Sequence, residues 1–126
     1  MTESVRLWSG EIPGYIDGAD VPTLHYYAAK KKRGDGCVVI FPGGGYINFC
    51  QREADPVAFQ FMAAGYNAFI LKYSLGADAV YPNPLLDLCQ AMKMIRENSE
   101  EWGIIEDQIA VCGFSAGGHL AASLGV

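Results

Sequence analysis

The chain has 126 residues and a net charge of −5; 51% of its residues are hydrophobic and 18% are charged. This composition is typical of a globular domain and excludes a disordered chain, and the acidic balance argues against a nucleic-acid partner. No stretch approaches the roughly 20 apolar residues of a membrane span, so no membrane partner is expected, and the N-terminus lacks the apolar core of a signal peptide.

The cysteines predict a reduced, cytoplasmic protein. None of the four forms a C-x-x-C pair, none has a histidine cluster nearby, and three lie in strongly apolar segments. We therefore expect buried, structural cysteines and no metal site. The residues concerned are Cys37, Cys50, Cys89 and Cys112.

The first half of the chain alternates short apolar runs with a helical pattern. Residues 4–8 and 23–29 predict two strands joined by a loop that contains glycine and proline. Residues 37–41 (CVVIF) form an uninterrupted apolar run, which is typical of a strand buried on both faces. A helix is predicted to begin at Asp55-Pro56, with the aspartate as N-cap, and to close at Gly65 as its C-cap.

The second half repeats this alternation. Residues 66–73 predict a strand, Asn83-Pro84 predicts the capped start of a longer helix, residues 109–114 predict the last strand, and a helix follows. The buried face of the longer helix is predicted to consist of Leu85, Leu88, Cys89, Met92 and Ile95. Strands alternating with helices, without repeats or a linker, indicate one unit with a βα-layered sheet.

The segment Gly113-Phe114-Ser115-Ala116-Gly117 matches G-x-S-x-G between the last predicted strand and the helix after it. The glycines permit a tight turn on which the serine takes a strained backbone conformation. Such a turn exposes the Ser115 hydroxyl above the sheet and directs the Ala116 amide, at the positive end of the helix, to the same point. This arrangement is typical of a nucleophilic serine.

A second glycine-rich segment, Pro42-Gly43-Gly44-Gly45-Tyr46, follows the buried strand 37–41. Successive glycines let backbone amides turn towards a ligand, and an acyl-transfer oxyanion needs two or three such donors, each contributing about 3–4 kcal/mol. A plain turn is the alternative. A dinucleotide phosphate loop is not favoured, because Asn48 stands where G-x-G-x-x-G requires its third glycine.

Together the two motifs resemble the α/β-hydrolase fold, and within it the serine esterases similar to hormone-sensitive lipase and to acetyl xylan and feruloyl esterases. The segments YSLGADAVYPNPLLDL (73–88) and CGFSAGGHLAASLG (112–125) also resemble that branch, and the resemblance covers most of residues 38–126. It implies a three-layer α/β/α domain with a mostly parallel sheet. Residues 1–126 would be one partial domain, the N-terminal half, reaching through the nucleophile elbow to the start of the next helix.

The resemblance implies a carboxylic ester hydrolase, similar to acetyl esterases, with a covalent acyl-enzyme on Ser115. Its substrates would be small-molecule or carbohydrate esters, such as acetylated or feruloylated sugars. The amides of Gly44, Gly45 and Ala116 would form the oxyanion hole. Tyr46 would line the substrate pocket, with simple packing as its alternative role. Neither a metal nor an organic cofactor is implied.

Two features depart from the family pattern. Many relatives have His-Gly-Gly-Gly where this chain has Pro42, a change that leaves the backbone donors in place. The acidic residue and the histidine of the triad follow the serine in this fold, in the half of the domain that is not here.

His25 lies in an early strand, and His119 lies four residues after Ser115, facing away from the crevice, so neither is expected to be the base. The 126-residue chain alone is therefore expected to be inactive.

Two alternatives remain open. The chain could be a truncated, catalytically incomplete hydrolase fragment or an interaction module, or it could belong to a serine peptidase similar to prolyl oligopeptidase, which shares the fold and the elbow.

In the resembled fold the strand 109–114 is interior. In this chain we expect it to be an exposed edge strand through which copies could oligomerise.

Overall fold

A computed structural model describes residues 2–12, 21–30, 32, 35–76, 79, 81–105 and 107–125. The strands are β1 (Thr2–Arg6), β2 (Thr23–Tyr27), β3 (Cys37–Phe41), β4 (Asn67–Lys72) and β5 (Ile109–Gly113). The α-helices are α1 (Asp55–Ala63), α2 (Asn83–Glu97) and α3 (Ala116–Leu124), and a 3₁₀ turn spans Gln51–Glu53. Among these residues, no helix has the length and apolar character needed to cross a membrane.

The strands form one mixed sheet in the order β1-β2-β4-β3-β5. β2 is antiparallel to both β1 and β4, whereas β4, β3 and β5 run parallel. Every residue of β3 is buried, as its uninterrupted apolar run predicts. Since β3 pairs with β5 as far as Phe41 and Gly113, the segments that follow these strands leave the same edge of the sheet side by side.

Helices cover both faces of the sheet, which confirms the predicted α/β/α layering. On one face, Val39 and Phe41 belong to a core cluster that includes Leu88 of α2. On the other face, Ile40 packs in a second cluster with Ala58 of α1. Alternate residues of β3 therefore enter opposite core layers, in keeping with the two-residue period of a strand.

The helix starts differ by one residue from the prediction. Ala54 is the N-cap of α1, and Pro82 is the N-cap of α2, so the prediction that Asp55 and Asn83 cap these helices is wrong. Neither cap makes a side-chain hydrogen bond. Asp55 lies inside the first turn of α1, where the helix dipole favours a carboxylate, and it accepts a hydrogen bond from the Tyr27 hydroxyl.

The prediction of buried cysteines holds only for Cys37. Burial raises the pKa of the Cys37 thiol to about 12. Cys50 and Cys112 are partly exposed and Cys89 is exposed, so Cys89 does not belong to the buried face of α2. That face runs through Ala91 instead, and a residue two positions away lies about 200° around a helix, on the solvent side.

Within the described part of the chain, β5 is an edge strand that pairs only with β3. Val111 keeps 40% of its surface exposed. A cavity of about 500 Å³ lies beside the strand, and its apolar lining includes Phe61, Tyr66, Ile109, Ala110 and Val111. An apolar edge without a charge or proline along it is a pairing site for another strand.

A buried carboxylate connects the N-terminal region with the end of β4. Asp87 of α2 is 1% exposed. It accepts hydrogen bonds from the Trp8 indole (2.8 Å), the Ser74 amide (2.8 Å) and the Ser74 hydroxyl (2.6 Å). These donors offset the cost of burying the carboxylate, and they fix the chain where it leaves the sheet next to the glycine loop.

Replacing Asp87 with alanine is expected to lower the free energy of unfolding by about 1–3 kcal/mol, because Trp8 and Ser74 keep buried donors that have lost their acceptor. Denaturant unfolding followed by tryptophan fluorescence measures this change. Asp107→Ala removes an exposed carboxylate and serves as the matched control. Equal losses in the free energy of unfolding of the two variants would show that the hydrogen bonds to Asp87 do not stabilise the fold.

Candidate active site

Ser115 stands at the junction of β5 and α3, where it is the N-cap residue of the helix. Its backbone has φ 52° and ψ −116°, a conformation that residues with a side chain rarely adopt. Its carbonyl accepts the His119 amide (2.9 Å), which begins the first turn of α3, and the residue is exposed. The strained, exposed serine predicted from G-x-S-x-G is therefore present in the structure.

The two glycines of the motif are required by close backbone contacts. A Cβ on Gly113 would lie 2.3 Å from the Gly117 carbonyl oxygen. A Cβ on Gly117 would lie 1.9 Å from the carbonyl oxygen of Phe41, the last residue of β3. The turn is thus folded tightly on itself and packed directly against the end of the neighbouring strand.

The segment after β3, residues 43–48, is called the glycine loop below. Gly44, Gly45 and Tyr46 all have positive φ, at 144°, 66° and 62°. The Gly44 carbonyl accepts the amides of Ile47 (3.1 Å) and Asn48 (3.3 Å). These two hydrogen bonds close the loop into a compact turn.

The glycine loop and the serine turn are in contact. A Cβ on Gly43 would lie 3.0 Å from the Ser115 Cβ, and the Phe114 amide donates to the Phe41 carbonyl (3.1 Å). The amides of Gly44, Gly45 and Ala116, predicted as oxyanion donors, have no hydrogen-bond partner among the described residues. They are available to a ligand as far as the structure describes their surroundings.

The Gly43 amide, by contrast, is occupied. It donates to Glu53 Oε1 (3.0 Å), while the Gly43 carbonyl accepts the Cys50 amide (2.8 Å). Glu53 therefore fixes the start of the glycine loop. Sequence reasoning missed this role, because an acidic residue just before α1 is equally explained by the helix dipole.

Tyr46, in the glycine loop, extends to α3. Its hydroxyl oxygen is 2.9 Å from His119 Nδ1, and its ring contacts that of Tyr73 edge-on, with centroids 5.8 Å apart. The His119 ring thus reaches across to the residue that follows the glycines, a contact that the sequence did not predict. The Tyr73 hydroxyl donates to the Pro42 carbonyl, and burial raises the pKa of both tyrosines.

His25 lies apart from this cluster. Its Nε2 is 3.0 Å from the Thr23 hydroxyl, beside a cavity of about 730 Å³ that Phe49 and Tyr73 also line. Burial, and then the charge of Lys72, lower the pKa of His25. Within the described structure the imidazole rings of His25 and His119 hydrogen-bond to Thr23 and Tyr46 and not to the Ser115 hydroxyl, and no group of three or more potential metal ligands occurs in that part of the chain.

The glycine loop offers a direct test of which of its residues the turn requires. A Cβ on Gly44 would lie 1.9 Å from the Asn48 carbonyl oxygen, at a φ of 144° that side chains rarely adopt, whereas a Cβ on Gly45 meets nothing within 4 Å. In the protein as expressed from its own gene, Gly44→Ala is therefore expected to lower kcat for the ester hydrolysis that the resemblance implies by roughly a hundredfold or more, with KM less affected. Gly45→Ala, which carries only left-handed strain of about 1–2 kcal/mol, should lose less. Steady-state kinetics compares the two, and equal kcat values would contradict the assignment.

Comparison with solved structures supports the same architecture. The acetyl ester-xyloside bifunctional hydrolase from Caldicellulosiruptor lactoaceticus aligns with a TM-score of 0.88 and 36% identity, over 95% of this chain and 45% of that one. MGS-M1, an α/β-hydrolase enzyme from a Medee basin deep-sea metagenome library, aligns with a TM-score of 0.85 and 37% identity, over 98% and 50%. The fold is that of the α/β-hydrolases.

Comparison with curated sequences also finds an esterase. Carboxylesterase NlhH of Mycobacterium tuberculosis is 32% identical over 111 residues, which are 86% of this chain and 34% of the esterase. The chain thus spans about half the length of the two solved structures and about a third of this curated relative. Residues 24–126 match the BD-FAE family, and the chain belongs to that family.

Proposed function

We propose that the protein is a carboxylic ester hydrolase in which Ser115 is the nucleophile. The observation that carries this proposal is the backbone of Ser115, held at φ 52° on a strand-to-helix turn in contact with the glycine loop. Strain of this kind persists only where the surrounding structure maintains it, and it is concentrated at reactive sites. The esterase relatives support the same reaction class.

In the proposed reaction, Ser115 Oγ attacks the carbonyl carbon of the ester and its proton passes to a general base. The resulting oxyanion accepts hydrogen bonds from the amides of Gly44, Gly45 and Ala116. Collapse of this intermediate expels the alcohol, which takes up the proton, and leaves the acyl group on the serine. Water then attacks the acyl-enzyme and releases the carboxylic acid. Neither imidazole ring hydrogen-bonds to the Ser115 hydroxyl among the described residues, so the proposal assigns the base to neither His25 nor His119.

We propose a carbohydrate ester with a small acyl group as the substrate class. The support comes from the relative whose printed description is an acetyl ester-xyloside hydrolase. The Ser115 side of the site is also exposed, and a bulky alcohol such as a sugar needs an open approach. Hydrolysis of acetylated xylo-oligosaccharides, compared with long-chain fatty esters, distinguishes this class from lipid esters.

A fluorophosphonate probe tests the nucleophile in the protein as expressed from its own gene. We expect one covalent adduct, and tandem mass spectrometry of the digested protein should place it on Ser115. Ser123, a serine two turns further along α3, provides an internal control within the same helix and should remain unmodified. An adduct on another serine, or no adduct from a protein that hydrolyses esters, would contradict the proposal.

Residues 1–126 expressed alone are expected to self-associate through β5 and to show no esterase activity. The exposed apolar edge of β5 explains the first expectation. The second follows because no imidazole ring hydrogen-bonds to the Ser115 hydroxyl among the described residues. Size-exclusion chromatography with light scattering, together with a p-nitrophenyl acetate assay, measures both. Val111→Lys charges the edge and should shift the chain towards monomer, whereas Leu86→Lys on α2 should not. A monomeric, active parent would overturn this expectation.

A further inference from the structure

One hydrogen bond at the site involves two residues that the proposed reaction does not use. We propose that Tyr46 and His119 are positioning residues, and that their hydrogen bond keeps the glycine loop at a fixed distance from Ser115. The Tyr46 hydroxyl oxygen and His119 Nδ1 lie 2.9 Å apart, and their rings meet edge to face, with centroids 6.2 Å apart. This inference rests on the proposed function, since it assigns both residues to the same site.

The backbone of Tyr46 needs external support. Its φ of 62° lies in the left-handed region, where a residue with a side chain costs about 1–2 kcal/mol. Gly44 and Gly45 tolerate their positive φ because they lack a Cβ, but Tyr46 does not share that freedom. Such a conformation persists only when contacts from the surroundings maintain it.

Three contacts reach Tyr46 from outside the loop. Its carbonyl accepts the Gly76 amide (2.6 Å), its ring meets Tyr73, and its hydroxyl meets His119. Gly76 and Tyr73 follow β4 and anchor the loop to the sheet. The contact with His119 anchors it to α3, the helix that begins at the nucleophile.

His119 is one helical turn beyond Ser115, and its amide donates to the Ser115 carbonyl. The backbone of His119 is thereby fixed relative to the serine, and its ring extends from there to the Tyr46 hydroxyl. A shift of Tyr46 against α3 changes the distance between the loop amides, at Gly44 and Gly45, and the Ser115 hydroxyl. Because the oxyanion exists only after attack, such a shift lowers kcat and leaves KM nearly unchanged.

Variants of the two side chains test this role in the protein as expressed from its own gene. His119→Leu removes the hydrogen bond, His119→Asn keeps a polar group near the position of Nδ1, and Tyr46→Phe removes the hydroxyl alone. We expect kcat for p-nitrophenyl acetate to fall about tenfold in His119→Leu and in Tyr46→Phe, with KM unchanged. The double variant should lose no more than either single one, because both remove the same bond. His119→Asn should recover part of the rate.

Hydrogen exchange supplies a readout that does not depend on catalysis. Peptides covering residues 43–50 contain the Ile47 and Asn48 amides that close the loop, and they should exchange faster in His119→Leu than in the parent. Tyr66→Phe, which removes a hydroxyl at the start of β4, is the control and should change neither exchange nor kcat.

The outcomes separate the two proposals. A parent protein without esterase activity or Ser115 labelling would contradict the proposed function, while the exchange rates would still decide whether the pair holds the loop. Unchanged exchange in His119→Leu, additive kcat losses in the double variant, or a loss confined to KM would each overturn the positioning role.

Discussion

Replacing Ser115 with alanine in the protein as expressed from its own gene is expected to lower kcat for p-nitrophenyl acetate by about a millionfold, to the level of residual catalysis by the site without its nucleophile. In the proposed reaction the hydroxyl oxygen is the atom that forms the acyl-enzyme, so alanine removes the attacking group. The folded structure should be unaffected, because the side chain is exposed and serves as N-cap without a side-chain hydrogen bond.

Stopped-assay hydrolysis over long incubation measures the residual rate, and the thermal unfolding midpoint checks the fold. Ser123→Ala removes a hydroxyl from the same helix, two turns away, and should keep the parental kcat. A Ser115→Ala enzyme within tenfold of the parent would mean that another residue carries the acyl group.

The second large effect is expected at Gly117. A Cβ there would lie 1.9 Å from the Phe41 carbonyl oxygen, 2.6 Å from its carbon and 2.9 Å from the Pro42 oxygen. All three are backbone atoms at the end of β3 and just after it, so the contact cannot be relieved by a side-chain rotation. Gly117→Ala should therefore lower the free energy of unfolding by about 3 kcal/mol or more, because it overpacks a site enclosed by backbone. Fluorophosphonate labelling of Ser115 should be lost as well.

Gly118→Ala is the matched control for this prediction. The next residue on the same helix would place its Cβ 3.3 Å from the Gly113 carbonyl oxygen, a contact that a small shift can relieve. Alanine is also favoured over glycine inside a helix by about 1 kcal/mol. Denaturant unfolding of the two variants should separate them clearly, and equal stabilities would show that the turn can move away from β3.

Local patterns predicted the elements that position the site. The run 37–41 matches β3 in full, and G-x-S-x-G identified the strained turn at Ser115, because each depends on a few adjacent residues. The roles of Asp87 and His119 were not predictable in this way. Asp87 bonds to Trp8, 79 residues earlier in the chain, and His119 meets Tyr46, 73 residues earlier. Only the tertiary fold brings such pairs together.

The misassigned face of α2 has a similar origin. Leu85, Leu88 and Met92 fit a helical stripe that includes either Cys89 or Ala91, and hydrophobicity favours the cysteine. The buried Asp87 decides the rotation of the helix, because its carboxylate must face Trp8 and Ser74. A polar contact thus overrides the apolar pattern that sequence reasoning relies on.

The strand order also governs when a newly made chain could acquire a reactive centre. β3 is synthesised early, yet its second parallel neighbour, β5, begins only at Ile109, and the serine follows it. Joining segments so distant in sequence costs loop-closure entropy before their contacts can offset it, and such pairings form slowly. The antiparallel strands and the β3–β4 pair can form first, without a serine beside the glycine loop. Assembly of the proposed hydrolytic centre is therefore expected to be a late folding event, because the proposed nucleophile, Ser115, comes to lie beside the glycine loop only after β5 has paired with β3.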